Sequence, residues 1–513
     1  MAGVPTWILV VSVSLWAVPS IDTQDALQKA VMLVQQGRLD EAEQQAQLAL
    51  PDPEARAAAY SVLGTIRLQQ NRLQDSAALL QKAIEIEPRL VGAHLNLAQV
   101  YTLQGKPDLA LGLFRRILEL DGLNIAARLA LARAETEKQN FRQSLDLAQP
   151  VLAQFKQSPD GLFVLATDFL KLGHRSDAAA LAADWARLAN LPPDWSIKFA
   201  LLLLKEGIVA EATEILERAM STGPPSYEVA FNLGGAYVLK RDWARALTAY
   251  DAALAVKPDA VEALRQAAGI AEQQGELERS LSYWIRARKL EPNDPGTLLG
   301  FGRVCLKMDL LDDAEPALNE AARLRPEDTV AQYTLAAAKV GKRQFEAAES
   351  LLQGLVTKRP DDAQLQYAVG SVFYVQGKLA EAAAHLRESL RLQPEQLASR
   401  YYLALVARDQ GDERQAIEML ERLTRSHPDH AASCEALGGL LMNAQRYAEA
   451  EVNLRNAVRL NAKSVKANYQ LGLLLARMGR KDEADKQLEL AKTLRKEDEE
   501  TSRLQLRLLD PDR

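Results

Sequence analysis

The stretch from Tyr227 to Pro258 reads YEVAFNLGGAYVLKRDWARALTAYDAALAVKP, and its closing proline is one tooth of a comb. Pro258, Pro292, Pro326, Pro360, Pro394 and Pro428 stand 34 residues apart without a slip, and Pro224 and Pro88 fall on the same grid. A fixed period of this length signals an array in which each period is one supersecondary unit. Extended along the chain, the grid gives fourteen consecutive units from Thr23 to Asp498 with no insertion. Tyr227 is position 1 of its unit and Pro258 is position 32.

Two columns admit only small side chains in every unit. Position 8 is always Gly or Ala, from Ala30 and Gly64 to Gly438 and Gly472, and position 20 is always Ala or Ser, from Ala42 and Ser76 to Ala450 and Ala484. Columns of this kind mark where two helices of one unit approach closely. Apolar residues recur at helical spacing on both sides of a polar break. In the unit from Ala363, Val369, Val372 and Phe373 precede the break, and Ala382, Leu386 and Leu390 follow it. Within the break, position 15 is Gly37, Gly105, Gly173, Gly207, Gly275, Gly377, Gly411 and Gly479, and Asn71 in a ninth unit. These residue types tolerate the left-handed backbone that ends a helix. The position 32 proline, lacking an N–H, then stops the second helix. Each unit therefore reads as a helical hairpin, and hairpins that cannot bury an apolar face alone must stack.

Ala230, Leu233, Gly234, Tyr237, Ala246, Tyr250, Ala253 and Pro258 stand at positions 4, 7, 8, 11, 20, 24, 27 and 32. They resemble the tetratricopeptide repeat (TPR) signature, W-x2-L-G-x2-Y, then A-x3-F, then P, with Ala in place of Trp. The resemblance covers nearly the whole chain and implies an all-α, right-handed superhelical solenoid of antiparallel helix pairs. The expected organisation is a leader over 1–20, a more degenerate array over 23–226, a regular array over 227–498 and a charged cap or tail over 499–513. In the degenerate part, Gly122, Lys156 and Asn190 replace the proline, and Trp185 stands where a small residue belongs. Weaker stacking there, with a hinge, and drift without function are both open readings.

Lys plus Arg is 62 against 68 for Asp plus Glu, a net charge of −6 without a strongly basic stripe, which argues against nucleic acid as a partner. There is no glycine-rich phosphate loop, no H-E-x-x-H and no C-x-x-C, so neither catalytic residues nor a cofactor are expected. His427, Asp429 and His430 cluster on an inter-repeat turn, where polar residues are routine, and no metal site is assigned to them. Cys305 and Cys434 lie almost four repeats apart, too far for a disulfide, and read as small buried hydrophobes. Val4 to Val18 is an apolar run ending in Val18, Pro19, Ser20, which suits cleavage of a bacterial export signal, although no Lys or Arg precedes it. The expectation is an exported, periplasmic or envelope-associated chain. The competing readings are an uncleaved leader as the sole membrane contact, or a cytoplasmic protein.

In the family that the chain resembles, first helices line a concave groove into which positions 2, 5, 6, 9, 12 and 13 point. The candidate groove residues are Phe231, Tyr333, Tyr367, Tyr401 and Tyr469 at position 5, Asn96, Asn232 and Tyr402 at position 6, and Tyr374 at position 12. Tyrosine offers contact area with a hydrogen-bonding end and suits interfaces. The competing reading is that position 5 packs between neighbouring first helices. Neither the Lys and Asn set of a carboxylate clamp nor an asparagine ladder at position 6 is present. The resemblance thus implies a non-enzymatic scaffold that binds protein or peptide segments, with a cytoplasmic adaptor and a polysaccharide-binding accessory protein as alternatives. The sequence does not specify the oligomeric state.

Overall fold

The computed structural model describes residues 21–188 and 191–499. The leader, Asn190 and the tail beyond Glu499 lie outside the described residues. The described residues form helices and turns only, and the helices keep the phase of the comb. From Val91–Leu103 to Val465–Arg477, the first helix begins on position 1 in twelve successive units. The second helix begins on position 17 in all fourteen, from Leu39–Leu48 to Lys481–Glu499. The two helices of a repeat pack against each other, and within each of the two compact parts of the chain most second helices pack against the next first helix, as Leu73–Ile86 does on Val91–Leu103 and Leu311–Leu324 on Thr329–Gly341.

The turn between the two helices is the same in every unit. Position 15 has positive φ at the eight glycines, at Asn71, and also at Gln139, Arg241, Asp309, Arg343 and Gln445, with φ between 57 and 65° at the non-glycine residues. At Gly377 the left-handed residue lets the next amide turn back, so that Lys378 N–H donates to the carbonyl of Phe373 at 2.9 Å and closes the helix end. A side chain with a Cβ pays for that conformation with roughly 1–2 kcal/mol. The double variant Arg241→Gly, Arg343→Gly is therefore expected to be more stable, by up to about 1 kcal/mol per site once glycine's greater unfolded-state freedom is deducted. Urea titration followed by circular dichroism checks this, and a lower midpoint for the variant refutes it.

The small columns are contact points. A Cβ added to Gly64 would lie 2.6 Å from Leu80 Cγ, and one added to Gly302 would lie 2.5 Å from Leu318 Cγ, so position 8 presses on position 24 of its own unit. Position 20 is enclosed in turn. In two of the three units where it is serine, Ser76 and Ser280 donate to the carbonyls of Gly64 and Ala268 at 2.7 Å, which satisfies a hydroxyl in a site with no access to water; the third, Ser144, is hydrogen-bonded to Thr136 Oγ1 at 3.0 Å.

Two compact units are present, one ending at Lys257 and one beginning at Pro258, a boundary one repeat beyond Tyr227. The N-terminal unit contains the degenerate repeats. Here the second helix of the unit from Ile125 is interrupted, running Phe141–Ala148, then a 3-10 turn Gln149–Val151, then Leu152–Phe155. Pro150 in the turn accounts for the break. Trp185 is absorbed into the core, stacked on Phe199 with ring centroids 4.2 Å apart.

The same segment encloses Asp168, which is 0 % exposed. Thr136 Oγ1 donates to its Oδ1 at 2.7 Å, while Oδ2 has no hydrogen-bond partner. Burial pushes its pKa up to about 6. Because the folded chain holds this proton more tightly than the unfolded chain does, the contribution to stability is greatest below about pH 4 and is lost as pH rises through about 6. Asp168→Asn is expected to melt with wild type at pH 4 and above it at pH 8, by up to about 2 kcal/mol. Identical differences at both pH values would refute the assignment.

Candidate functional site

The first helices of the unit beginning at Pro258 carry most of the candidate residues, and position 5 has a common job there: it fastens one repeat to the next. Arg265 donates to Thr297 Oγ1 of the next repeat at 3.0 Å and also pairs with Glu291 and Asp294 at the end of its own unit, at 2.6 Å each. Tyr333 Oη accepts from Gln364 Nε2 at 2.8 Å. Glu435 pairs with Lys466 of the next repeat at 2.9 Å and accepts from Ser464 Oγ, at the end of its own unit, at 2.7 Å. The N-terminal unit follows the same rule, with Phe163 edge-on to Trp195 at 6.4 Å. In these four units the residue at position 5 differs, and so does the partner it meets on the next repeat.

This placement corrects the expected tyrosine ladder. Tyr367 is only 1 % exposed and belongs to the core with Leu365, Val369 and Phe373, so its ring offers no free face to a partner. Asn96, 4 % exposed, donates to Thr65 Oγ1 of the preceding repeat at 2.8 Å. Asn232 donates to the carbonyl of Glu228 in its own helix at 2.7 Å, and Phe231 lies between Tyr227 and Tyr250. Burial pushes the Tyr333 hydroxyl up to about 12, in keeping with a joint rather than a wet surface.

A second group is brought together. Tyr402 contacts Tyr367, Tyr374 and Tyr401, with centroids 5.9, 5.5 and 5.5 Å away, and Tyr401 stands edge-on to His430 at 5.3 Å. Tyr374 donates to Asp409 Oδ2 at 2.8 Å and accepts from Arg408 at 3.0 Å. Burial and then the Asp409 carboxylate raise the Tyr374 hydroxyl to about 12, while the Arg408 guanidinium and the Tyr374 hydroxyl hold the Asp409 carboxylate below its usual range despite partial burial. Tyr374, Tyr401 and Tyr402 remain partly accessible. Beside His430 opens a cleft of about 330 Å³ lined by Asp429, Glu435, Asn461 and Ser464. Tyr469, on the last described repeat, is 51 % exposed. The sequence reading missed Arg408, Asp409 and His430 as parts of this surface. Positions 12 and 13 at Arg408 and Asp409 were a usable signal, but His430 lies in a turn outside the groove columns.

The group offers aromatic faces and hydrogen-bond acceptors, a chemistry of recognition. The two histidines of the inter-repeat turn are engaged separately, His427 Nδ1 with Ser426 Oγ at 2.9 Å and His430 Nδ1 with Ser433 Oγ at 2.6 Å. Among the described residues no group of three His, Cys, Asp or Glu converges to hold a metal ion. No helix among them is long and apolar enough to cross a membrane. Both cysteines are buried and free.

Sequence models of the tetratricopeptide repeat match residues 61–125, 231–296 and 333–396, with further models of the same repeat matching 375–437 and 465–498. No curated protein matches the chain significantly. Similar solved structures include a tetratricopeptide repeat protein from Parabacteroides merdae, 18% identical, covering 49% of this chain and 98% of that one with a TM-score of 0.40. The Cut9-Hcn1 hetero-tetramer of the APC/C is 14% identical over 86% of this chain and 94% of that one, with a TM-score of 0.41. YrrB, described as a TPR protein with an unusual peptide-binding site, is 19% identical over 36% of this chain and 96% of that one, with a TM-score of 0.33.

Proposed function

The chain belongs to the tetratricopeptide repeat family, and from that premise we propose that it is a non-enzymatic scaffold whose first-helix face, around Tyr374, Tyr401, Tyr402 and Tyr469, binds a segment of a partner protein. The observation that carries this reading is the joined tyrosine cluster, partly accessible, running through His430 into the cleft beside Glu435. Aromatic rings held by neighbouring repeats cost a partner little ordering, because their rotamers are already fixed in the free protein. The Asp429 carboxylate in the cleft suits backbone amides or a basic side chain of the segment.

The proposal extends to the cell envelope, on the strength of the apolar run Val4 to Val18 and the small residues that follow it. The test is affinity capture from the native host with wild type and with Tyr402→Ala and Tyr469→Ala variants whose helical circular dichroism is intact. Envelope proteins retained by wild type and lost by the variants support the reading. Equal capture by all three overturns the site, and purely cytosolic partners with an unprocessed N-terminus favour the cytoplasmic adaptor. Tyr367 is unsuitable for this test, since its loss would disturb the core.

A further inference from the structure

The second-helix face carries a local anomaly that the scaffold reading does not use. Position 25 is polar in twelve of the fourteen units and Ala183 in another, so it is the water-facing column of the second helix; in the unit from Val261 it is Ile285, 53 % exposed. Position 16 is polar or charged in twelve units, and the exceptions are Ile208, which is buried, and Leu310, which is 38 % exposed. Position 28 is aliphatic or Met in eleven units, yet here it is Arg288.

These three departures meet at one place. Ile285 of helix Leu277–Leu290 and Leu310, just before helix Leu311–Leu324, flank an open pocket of about 510 Å³ whose walls also include Phe301, Cys305 and Pro292. Cys305 is position 11, a column that holds Phe169, Tyr237 and Phe373 but also Ala271 and Ala407, and here its small side chain forms part of the pocket wall. Arg288 lies over the Phe301 ring, 4.6 Å from its centroid, and leaves its charge at the rim. Among the described residues, neither Arg286, Arg288 nor the exposed Lys289 makes an ion pair. The corresponding positions 26 and 29 are a Glu–Arg pair in other units, as in Glu320 with Arg323 and Glu388 with Arg391. Asp313 is the one carboxylate among the lining residues.

We propose that this pocket on the second-helix face docks a segment of a partner protein that inserts one aliphatic or aromatic side chain between Ile285 and Leu310 and sets carboxylates beside Arg288 and Lys289. The apolar walls supply the anchor and the unpaired cations supply orientation. A second copy of the chain fits poorly, because a two-fold contact would bring the same three cations face to face. The proposal concerns a face other than that of the tyrosine cluster and stands apart from it.

The test is selection of a random peptide library displayed on phage against the full chain, with recovered clones then measured against variants by fluorescence anisotropy. Peptides carrying Leu, Ile or Phe next to Asp or Glu are expected, weakened more than tenfold by Ile285→Glu and by Lys289→Glu. Cys305→Phe, which installs the residue of other units, is expected to fill the pocket and to do the same. Tyr469→Ala should leave these affinities unchanged, which separates failure of this site from failure of the tyrosine surface. Because Lys289 is exposed and makes no ion pair, loss of binding in Lys289→Glu with an unchanged circular dichroism melt cannot be ascribed to misfolding. Peptides insensitive to all three variants, or selected without carboxylates, overturn the proposal. So does self-association in sedimentation velocity that Ile285→Glu abolishes, which would make the occupant a second copy.

Discussion

Tyr367→Ala is expected to destabilise the compact unit beginning at Pro258 by about 3–5 kcal/mol, the range for deleting an enclosed aromatic ring. Among the described residues the ring is one of the largest fully buried side chains, and it packs against Tyr402. The loss combines transfer of the ring to water with a cavity that the helices on either side cannot close, since both are pinned by their small columns. Unfolding of a repeat array is not two-state, so the effect should appear as an early transition in a urea melt rather than a shift of the whole curve. Tyr469→Ala serves as the contrast, because that ring is largely in water and its removal should change stability by less than about 0.5 kcal/mol. Comparable curves for the two variants would show that Tyr367 is not a core residue.

Ala382→Leu is expected to cost roughly 1–3 kcal/mol by overpacking. Ala382 is 0 % exposed, and in the same unit a Cβ on Gly370 would already lie 2.8 Å from Leu386 Cγ. The extra carbons have no void to enter, and the helices must separate or a rotamer must strain. The same substitution at Ala380, two residues earlier and exposed, should be nearly neutral. Thermal melts of both variants decide the matter; an unchanged curve for Ala382→Leu would refute the contact at position 20.

The array was legible because its signals are steric and recur. Small residues at positions 8 and 20, with the proline at 32 where it is kept, mark the helices, and twelve of the first helices and all of the second helices start on the grid. The turn was only partly legible. Gly377 announces a left-handed residue, whereas Arg241 or Arg343 does not, because the demand comes from the helices on either side and not from the residue itself. The candidate surface was the hardest to read. A tyrosine at position 5 suits a groove and a joint equally well, and the choice depends on whether the next repeat supplies a partner, as Gln364 does for Tyr333. Tyr469 shows the other outcome, exposed on the last described repeat. The pocket at Ile285 is legible only by comparing columns, since an isolated isoleucine in a helix carries no message.

A chain of fourteen look-alike hairpins has an addressing problem as it folds: a hairpin that met the wrong neighbour would still find an apolar face of the right size. The fastenings at position 5 distinguish the neighbours. Across the boundary to the next repeat, Arg265 requires the hydroxyl of Thr297, Tyr333 the amide of Gln364, and Glu435 the ammonium of Lys466. Set against a foreign neighbour, each would leave a charge or a polar atom without its counterpart, and such mismatches discriminate even where the correct pairing adds little. The uniform columns make any two hairpins stackable, and the variable residues at position 5 tell the neighbours of Arg265, Tyr333 and Glu435 apart.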